Sequence, residues 1–178
     1  MEGGKDQGMN LKIIGALCII FACGGTGYSM AAAHRYEERT LHQLISALNH
    51  MGCELQYRLT PLPELCKRVA VDAQGIVGQV LLDVSKELEM QLVPDAVSCM
   101  QAVLSRSKKL PRSVYKNLKE LGITLGRFDL EGQLKGIEAV RTQCRTDLEA
   151  LENNRDARLR SYQTLGLCAG CALAILFL

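Results

Sequence analysis

Apolar residues follow two patterns along this chain. At the ends they form unbroken runs: Ile13 to Ala33 holds 21 residues without a charge, and Leu165 to Leu178 holds 14. Between the runs they recur at every third or fourth position, the spacing that puts side chains on one face of an α-helix. Leu41, Leu44, Ile45, Leu48, Met51, Leu55 and Leu59 form the first stripe and predict a helix over 34–59. Thr60-Pro61 breaks it and predicts a new start, with Thr60 as N-cap and Pro61 first in the helix, where a missing N–H is not needed. Leu62, Leu65, Cys66 and Val69 form the second stripe. A third helix, from about Gln74, turns Ile76, Val77, Val80, Leu81, Val84 and Leu88 inward and ends at Val93-Pro94, because the residue before proline avoids the helical region. Ala96, Val97, Met100, Val103 and Leu104 mark a fourth. Leu110-Pro111 opens a fifth, with Val114, Leu118, Leu121 and Leu125 inward and Gly126 as its stop. Asp129 reads as the N-cap of a last helix carrying Leu130, Leu134, Ile137, Cys144, Leu148 and Leu151, which continues through Arg160 into the second run.

Six amphipathic stripes with short links and no strand pattern predict an all-α fold: a six-helix antiparallel bundle over 34–160. The first run spans about 31 Å as a helix, close to a bilayer core. The second becomes long enough when counted from Ser161. Transmembrane helices are therefore expected at 13–33 and 161–178, flanking the bundle, with residues 1–12 as a short polar tail. An even number of helices lets the domain begin and end on the same side. Met9 is an alternative start.

Composition and charge narrow the picture. A net charge of +2 leaves no nucleic-acid footprint, and the absence of Trp with abundant Leu favours helices over a sandwich. The first run is too long for a comfortable cleaved leader and leads straight into a helical pattern, so it reads as a retained anchor. Phe21 is too bulky for a lipoprotein site at Cys23. Arg35, Arg39, Arg145, Arg155, Arg158 and Arg160 flank the runs on the domain side, against Lys5 and Lys12 on the other, which places the domain in the cytoplasm.

Candidate chemistry is sparse. Of eight cysteines, Cys18, Cys23, Cys168 and Cys171 lie in the apolar ends, while Cys53, Cys66, Cys99 and Cys144 are scattered. Cys168-x-x-Cys171 lacks the second pair that a zinc site needs and reads as transmembrane packing. Gly24-Gly25-x-Gly27 follows no strand and is no phosphate loop. His34, His42 and His50 are spaced by eight, which rotates each about 80° from the last, so they share no metal-binding face. No catalytic residue, metal or cofactor is expected. Glu64, Asp72, Asp83, Glu87 and Glu89 gather on the second and third helices. Arg106, Lys108, Lys109, Arg112, Lys116 and Lys119 gather on the fourth and fifth. Such separation suits either a charged partner or an ordinary solvated surface.

Several blocks carry a family resemblance. Leu11-Lys12-Ile13-Ile14-Gly15 opens an anchor that ends near Arg35-Tyr36. Leu44 to Leu62 closes on Tyr57-x-x-Thr60-Pro61-Leu62. Leu121-Gly122-x-x-Leu125-Gly126-x-x-Asp129-x-x-x-Gln133 is the most specific, and Tyr162-x-x-Leu165-Gly166-x-x-x-Gly170 ends the match. Over Met9 to Leu178 the chain resembles the stage III sporulation protein AB family of endospore-forming bacteria. More distantly it resembles the cytoplasmic domains of F-type inner-membrane proteins of type II secretion.

The resemblance implies a non-enzymatic component of an eight-protein machine, AA to AH, in the mother-cell membrane around the forespore. That machine pairs with stage II sporulation protein Q. It also implies the AA motor ATPase and the AC to AH components as partners, beside the lipid bilayer and self-association, with the domain in the mother-cell cytoplasm. A membrane-tethered scaffold unrelated to sporulation is the alternative. In the glycine block, Gly122 allows helices to approach and Asp129 caps. Arg127 and Gln133, exposed beside them, and Glu64 are candidate partner contacts. Plentiful cysteine and Pro63, where a helix former is expected, depart from the family pattern. Pro63 allows the second helix to start two residues later.

Overall fold

The computed structural model describes residues 32–90, 95–125 and 129–177, with side chains through residue 153. The described residues form six helices and no strand. They are α1 (32–58), α2 (Leu62–Asp72), α3 (Gly75–Met90), α4 (Ala96–Arg106), α5 (Arg112–Thr124) and α6 (Leu130–Phe177). The chain divides into two units, Met1–Tyr36 and Glu37–Leu178, and the helical bundle is the second. Successive helices from α2 to α6 pack on one another.

The core follows the periodic stripes. Leu41, Leu44, Leu48 and Met51 of α1 are sealed from solvent, as are Leu65 and Cys66 of α2, Val77 and Leu81 of α3, and Leu118 and Leu121 of α5. Met100, Val103 and Leu104 of α4 and Ile137, Val140 and Cys144 of α6 complete one continuous cluster. Each large side chain buried this way contributes roughly 1.5–3 kcal/mol, which is why the stripes, rather than helix propensity, hold the elements in place.

The structure corrects the stripe ends. Leu59 does not extend the α1 face: it adopts φ +51° and is 68% exposed. A left-handed non-glycine residue stops a helix at a cost of about 1–2 kcal/mol. Leu130 is likewise turned out, at 37% exposure, because it is the first residue of α6 and lies outside the groove that Leu134 and Ile137 fill.

Thr60 is not the N-cap of α2. That position belongs to Pro61, which offers no side-chain cap; Pro63 then occupies the first turn, and the helix begins at Leu62. Proline is tolerated there because the first amides of a helix have no intrahelical partner. Thr60 instead donates its hydroxyl to Glu54 Oε2 at 3.3 Å, fastening the turn back onto α1.

The later helices are punctuated by side chains and tight backbone contacts. Asp95 caps α4 by accepting from the Ser98 amide at 2.9 Å. Helix α5 closes at Leu125, whose extended backbone (φ −73°, ψ 129°) donates its amide to Leu121 O at 3.0 Å. Asp129 Oδ1 accepts from the Gly132 amide at 3.0 Å at the start of α6.

Among the described residues no helix is long and apolar enough to cross a membrane. The expected span at 13–33 lies outside the described residues except for 32–33, which are helical, and with it Cys18, Cys23 and Gly24, Gly25 and Gly27. The segment 161–177 continues α6 as helix, but its side chains, Cys168 and Cys171 among them, are outside the described ones. Val93, Pro94, Gly126 and Arg127 also fall outside.

Candidate functional site

Several polar side chains in this bundle link one helix to another. Near the start of α1, Glu37 Oε1 accepts from Ser113 Oγ of α5 at 2.6 Å. Farther along, Asn49 Oδ1 accepts from Arg141 Nη1 of α6 at 2.7 Å. Arg141 also pairs with Glu138 on its own helix, while its buried Nε has no hydrogen-bond partner among the described residues. Between α5 and α6, Asn117 Nδ2 donates to Asp147 Oδ2 at 2.8 Å, and Gln143 Nε2 donates to the other carboxylate oxygen at 2.9 Å. Asn117 is 1% exposed, so this pairing satisfies an amide that would otherwise be buried without a partner.

Glycines set the closest approaches. A Cβ at Gly122 would lie 2.7 Å from Met100 Cβ, so α5 rides directly on α4 at this point. A Cβ at Gly136 would collide with Thr124 Cγ2, which brings α6 against the end of α5. A Cβ at Gly78 would run into the Ala73 carbonyl oxygen, at the tight α2–α3 corner where Gly75 takes φ +69°. Gly122 was singled out by its motif. Gly78, Gly136 and Asn117 were not, because an isolated glycine or asparagine in a helix gives no local sign of what stands opposite.

The motif residues cluster around the α4–α5–α6 turn. Leu121 and Leu125 are buried, Gly122 meets Met100, and Asp129 holds α6 through the Gly132 amide and through its carbonyl, which accepts from the Gln133 amide at 3.0 Å. Gln133 is half-buried rather than exposed. Pro61 and Leu62 lie at the α1–α2 turn, with Leu62 partly packed on the core. Glu64 is partly exposed and pairs with Arg68 at 3.0 Å.

The acidic cluster is largely occupied by neighbours. Arg106 pairs with Glu87 at 2.7 Å, Lys86 with Asp83 at 3.3 Å, Lys67 with Glu89 at 3.9 Å, and His50 lies 3.4 Å from Asp72. Among the described residues no ion pair engages Lys108, Arg112, Lys116 or Lys119.

Surface concavities are shallow. A groove of about 320 Å³ between α5 and α6 is lined by Lys116, Asn117, Glu120, Thr124, Gly136 and Val140. Another of about 210 Å³, at the α1–α2 side, is lined by His50, Cys53, Glu54, Arg68 and Asp72. Among the described residues no group of His, Cys, Asp and Glu is arranged to hold a metal ion. Burial pushes the Cys66 thiol up to about 12, and burial, with the Asp147 carboxylate adding to it, does the same for Cys144. Cys99 is raised by burial and by the Glu87 and Asp95 charges. Such thiols stay protonated and unreactive near neutral pH.

The architecture and its surface define a helical-bundle domain whose polar residues bond within and between its helices or face solvent. The family model for stage III sporulation protein AB matches residues 12–178. The stage III sporulation protein AB of Bacillus subtilis (strain 168) is 28% identical over 171 residues, covering 94% of this chain and 99% of that protein. A solved structure of stage III sporulation protein AB superposes with a TM-score of 0.61 at 26% identity, covering 68% of this chain and 98% of that one. The chain belongs to the stage III sporulation protein AB family.

Proposed function

We propose that this protein is a non-enzymatic, membrane-tethered component of the sporulation channel between mother cell and forespore. In this reading both apolar runs anchor it in the mother-cell membrane around the forespore, and the bundle faces the mother-cell cytoplasm. The bundle couples the AA motor ATPase to the other membrane components, AC to AH. The supporting observation is that the family match runs through both uncharged ends, 13–33 and 161–178, as well as the bundle between them. Two anchors on one small domain fix its orientation to a membrane, which suits a coupling element. Glu64 and Arg127 are proposed contact positions for the ATPase.

The test is deletion of the gene in its source organism, with complementation and a count of heat-resistant spores. The expected result is collapse of the spore count with normal vegetative growth, and co-purification of the complementing protein with the AA ATPase. Normal sporulation would overturn the channel role and leave a membrane-tethered scaffold of another process. Charge reversal at Glu64 and Arg127 that left ATPase binding unchanged would remove those two positions from the interface.

A further inference from the structure

Helix α5 breaks the rule by which α2, α4 and α6 place charge at their starts. Helices α2 and α6 carry an acid in the first turn, Glu64 and Glu131, and α4 starts behind Asp95. The positive end of the helix dipole favours such an arrangement. Helix α5 has no acid there: it opens on Arg112 after Pro111, which offers no side-chain cap. Lys116 follows Arg112 by four residues and Lys119 follows Lys116 by three, so like charges repel one another on successive turns of one face. Elsewhere in the bundle this spacing joins opposite charges, as in Glu64 with Arg68, Asp83 with Lys86 and Glu131 with Lys135.

From Ala96 to Lys119 the chain carries six basic residues and no acidic one. Arg106 is drawn off to Glu87, and Lys109 has a partner of its own. Arg112, Lys116 and Lys119 are exposed, with no ion pair among the described residues. With Tyr115 they span an arc of about 100° on α5, on the side away from buried Val114, Leu118 and Leu121. Tyr115 is 39% exposed among the cations. The acid of α5, Glu120, falls outside the arc, on the flank that lines the α5–α6 groove. From Arg112 to Lys119 the ridge is about 10 Å long, or two helical turns. The repulsion along it and the cation at the helix start both cost stability and return nothing inside the domain. Carboxylates from outside, settling between the cations, would relieve both.

We infer that Arg112, Tyr115, Lys116 and Lys119 form a docking surface for a protein partner that presents a cluster of Asp and Glu. The inference rests on the reading of this chain as a coupling component, states the chemistry of one partner, and needs no placement of the apolar runs. Charge complementarity selects the acid. Arginine and tyrosine are residue types that concentrate binding energy at protein interfaces, and the Tyr115 ring gives the contact an apolar centre. A nucleic-acid backbone would need a longer basic track than a chain of net charge +2 supplies.

The test uses the full chain in sporulating cells of its source organism, with Tyr115 replaced by photo-crosslinking p-benzoylphenylalanine and the adducts identified by mass spectrometry. The expected adduct joins position 115 to a peptide of another protein that carries clustered Asp and Glu. Its yield should fall about tenfold when Lys116→Glu and Lys119→Glu are added, the size of effect that loss of close charge pairs produces. It should return when those acids of the partner are changed to lysine. Arg112→Gln, which removes charge without reversing it, should lower the yield by a smaller factor, and thermal melting checks that each variant folds. The same probe at Val71, 81% exposed on α2, is the control, and its adducts should not respond to the ridge charges. An adduct with lipid or nucleic acid alone, a partner peptide without acids, or a yield indifferent to both charge variants overturns the inference. So does the absence of any adduct at position 115 in cells where the chain is present. Spore counts separate the two readings. Normal sporulation after gene deletion, with a charge-dependent adduct, overturns the channel role and keeps the ridge. Collapse on deletion, with no such adduct, overturns the ridge alone.

Discussion

The α1–α2–α3 corner and the α4–α5–α6 side are built from the same kind of helix but use their charges differently. At the first, Glu54 accepts from Thr60 and lies near Arg58 and Arg68, while Glu64, Asp72 and Glu89 each face a basic partner. Charge is spent inside the corner, and the backbones close tightly around Gly75 and Gly78. At the second, shape comes from glycine contacts and the Asn117–Asp147 bond, and the cations of α5 are left toward solvent. The first region thus pairs most of its charges internally, whereas Arg112, Lys116 and Lys119 in the second have no ion pair among the described residues. Complementary pairing within a domain and complementary pairing with a partner draw on the same side chains.

The buried thiols probe the two regions most strongly. Cys66 sits in the first and Cys144 in the second, both 0% exposed, with thiols raised from 9.0 to about 12. A shift of that size leaves about a thousandfold less thiolate near neutral pH. In the folded protein, Cys53, which is exposed, should be alkylated first, with Cys66 and Cys144 protected until unfolding. Mass spectrometry of a timed alkylation checks this. Early labelling of Cys144 alone would show that the α5–α6 seam opens locally. The same shift sets a pH dependence. Up to pH 9 both states keep the proton; between about 9 and 12 the unfolded thiol releases it first, so stability falls with rising pH.

Gly78→Ala should be the most damaging small substitution at the first corner, because the added methyl meets a backbone carbonyl that cannot rotate away. A loss of about 2–3 kcal/mol is expected, read as a lowered Tm. Gly136→Ala meets a threonine side chain instead, so a smaller loss is expected. Equal losses would erase the distinction between the two seams. Asn117→Ala removes the amide that bonds Asp147, and should destabilise by about 1–2 kcal/mol in denaturant unfolding. A neutral result would mean that water replaces the amide through the α5–α6 groove. The smallest effect belongs to Arg68→Ala. Its partners Glu54 and Glu64 are solvent-accessible, and the change in stability should stay within about 0.5 kcal/mol. A larger loss would make the ion pairs structural, and the first corner dependent on them.

The helices and most of their inward faces could be read directly, because a stripe such as Leu41, Leu44, Leu48 and Met51 repeats with the period of the helix that carries it. Asp129 could be read for the same reason, since a cap acts on amides a few residues away. Thr60 was misread at this level. Its hydroxyl had a choice between the new helix and Glu54 six residues back, and Pro61-Leu62-Pro63 moved the helix start beyond its reach. The family, too, was visible in the linear spacing of the glycine block, and the match over 12–178 agrees with it.

Local order along the chain thus accounts for six helices and for most of the faces they bury. It could not say that Gly78 lies under the Ala73 carbonyl, that Gly136 faces Thr124, or that Asn117 meets Asp147. Nor could it tell an occupied charge from an open one: Arg106 and Lys108 are near neighbours in sequence, yet only Arg106 reaches Glu87. Those facts depend on the offset of one helix against the next. A repeat of 3.6 residues specifies the face of a helix, but leaves its height along a neighbour to be set by the packing of the assembled core.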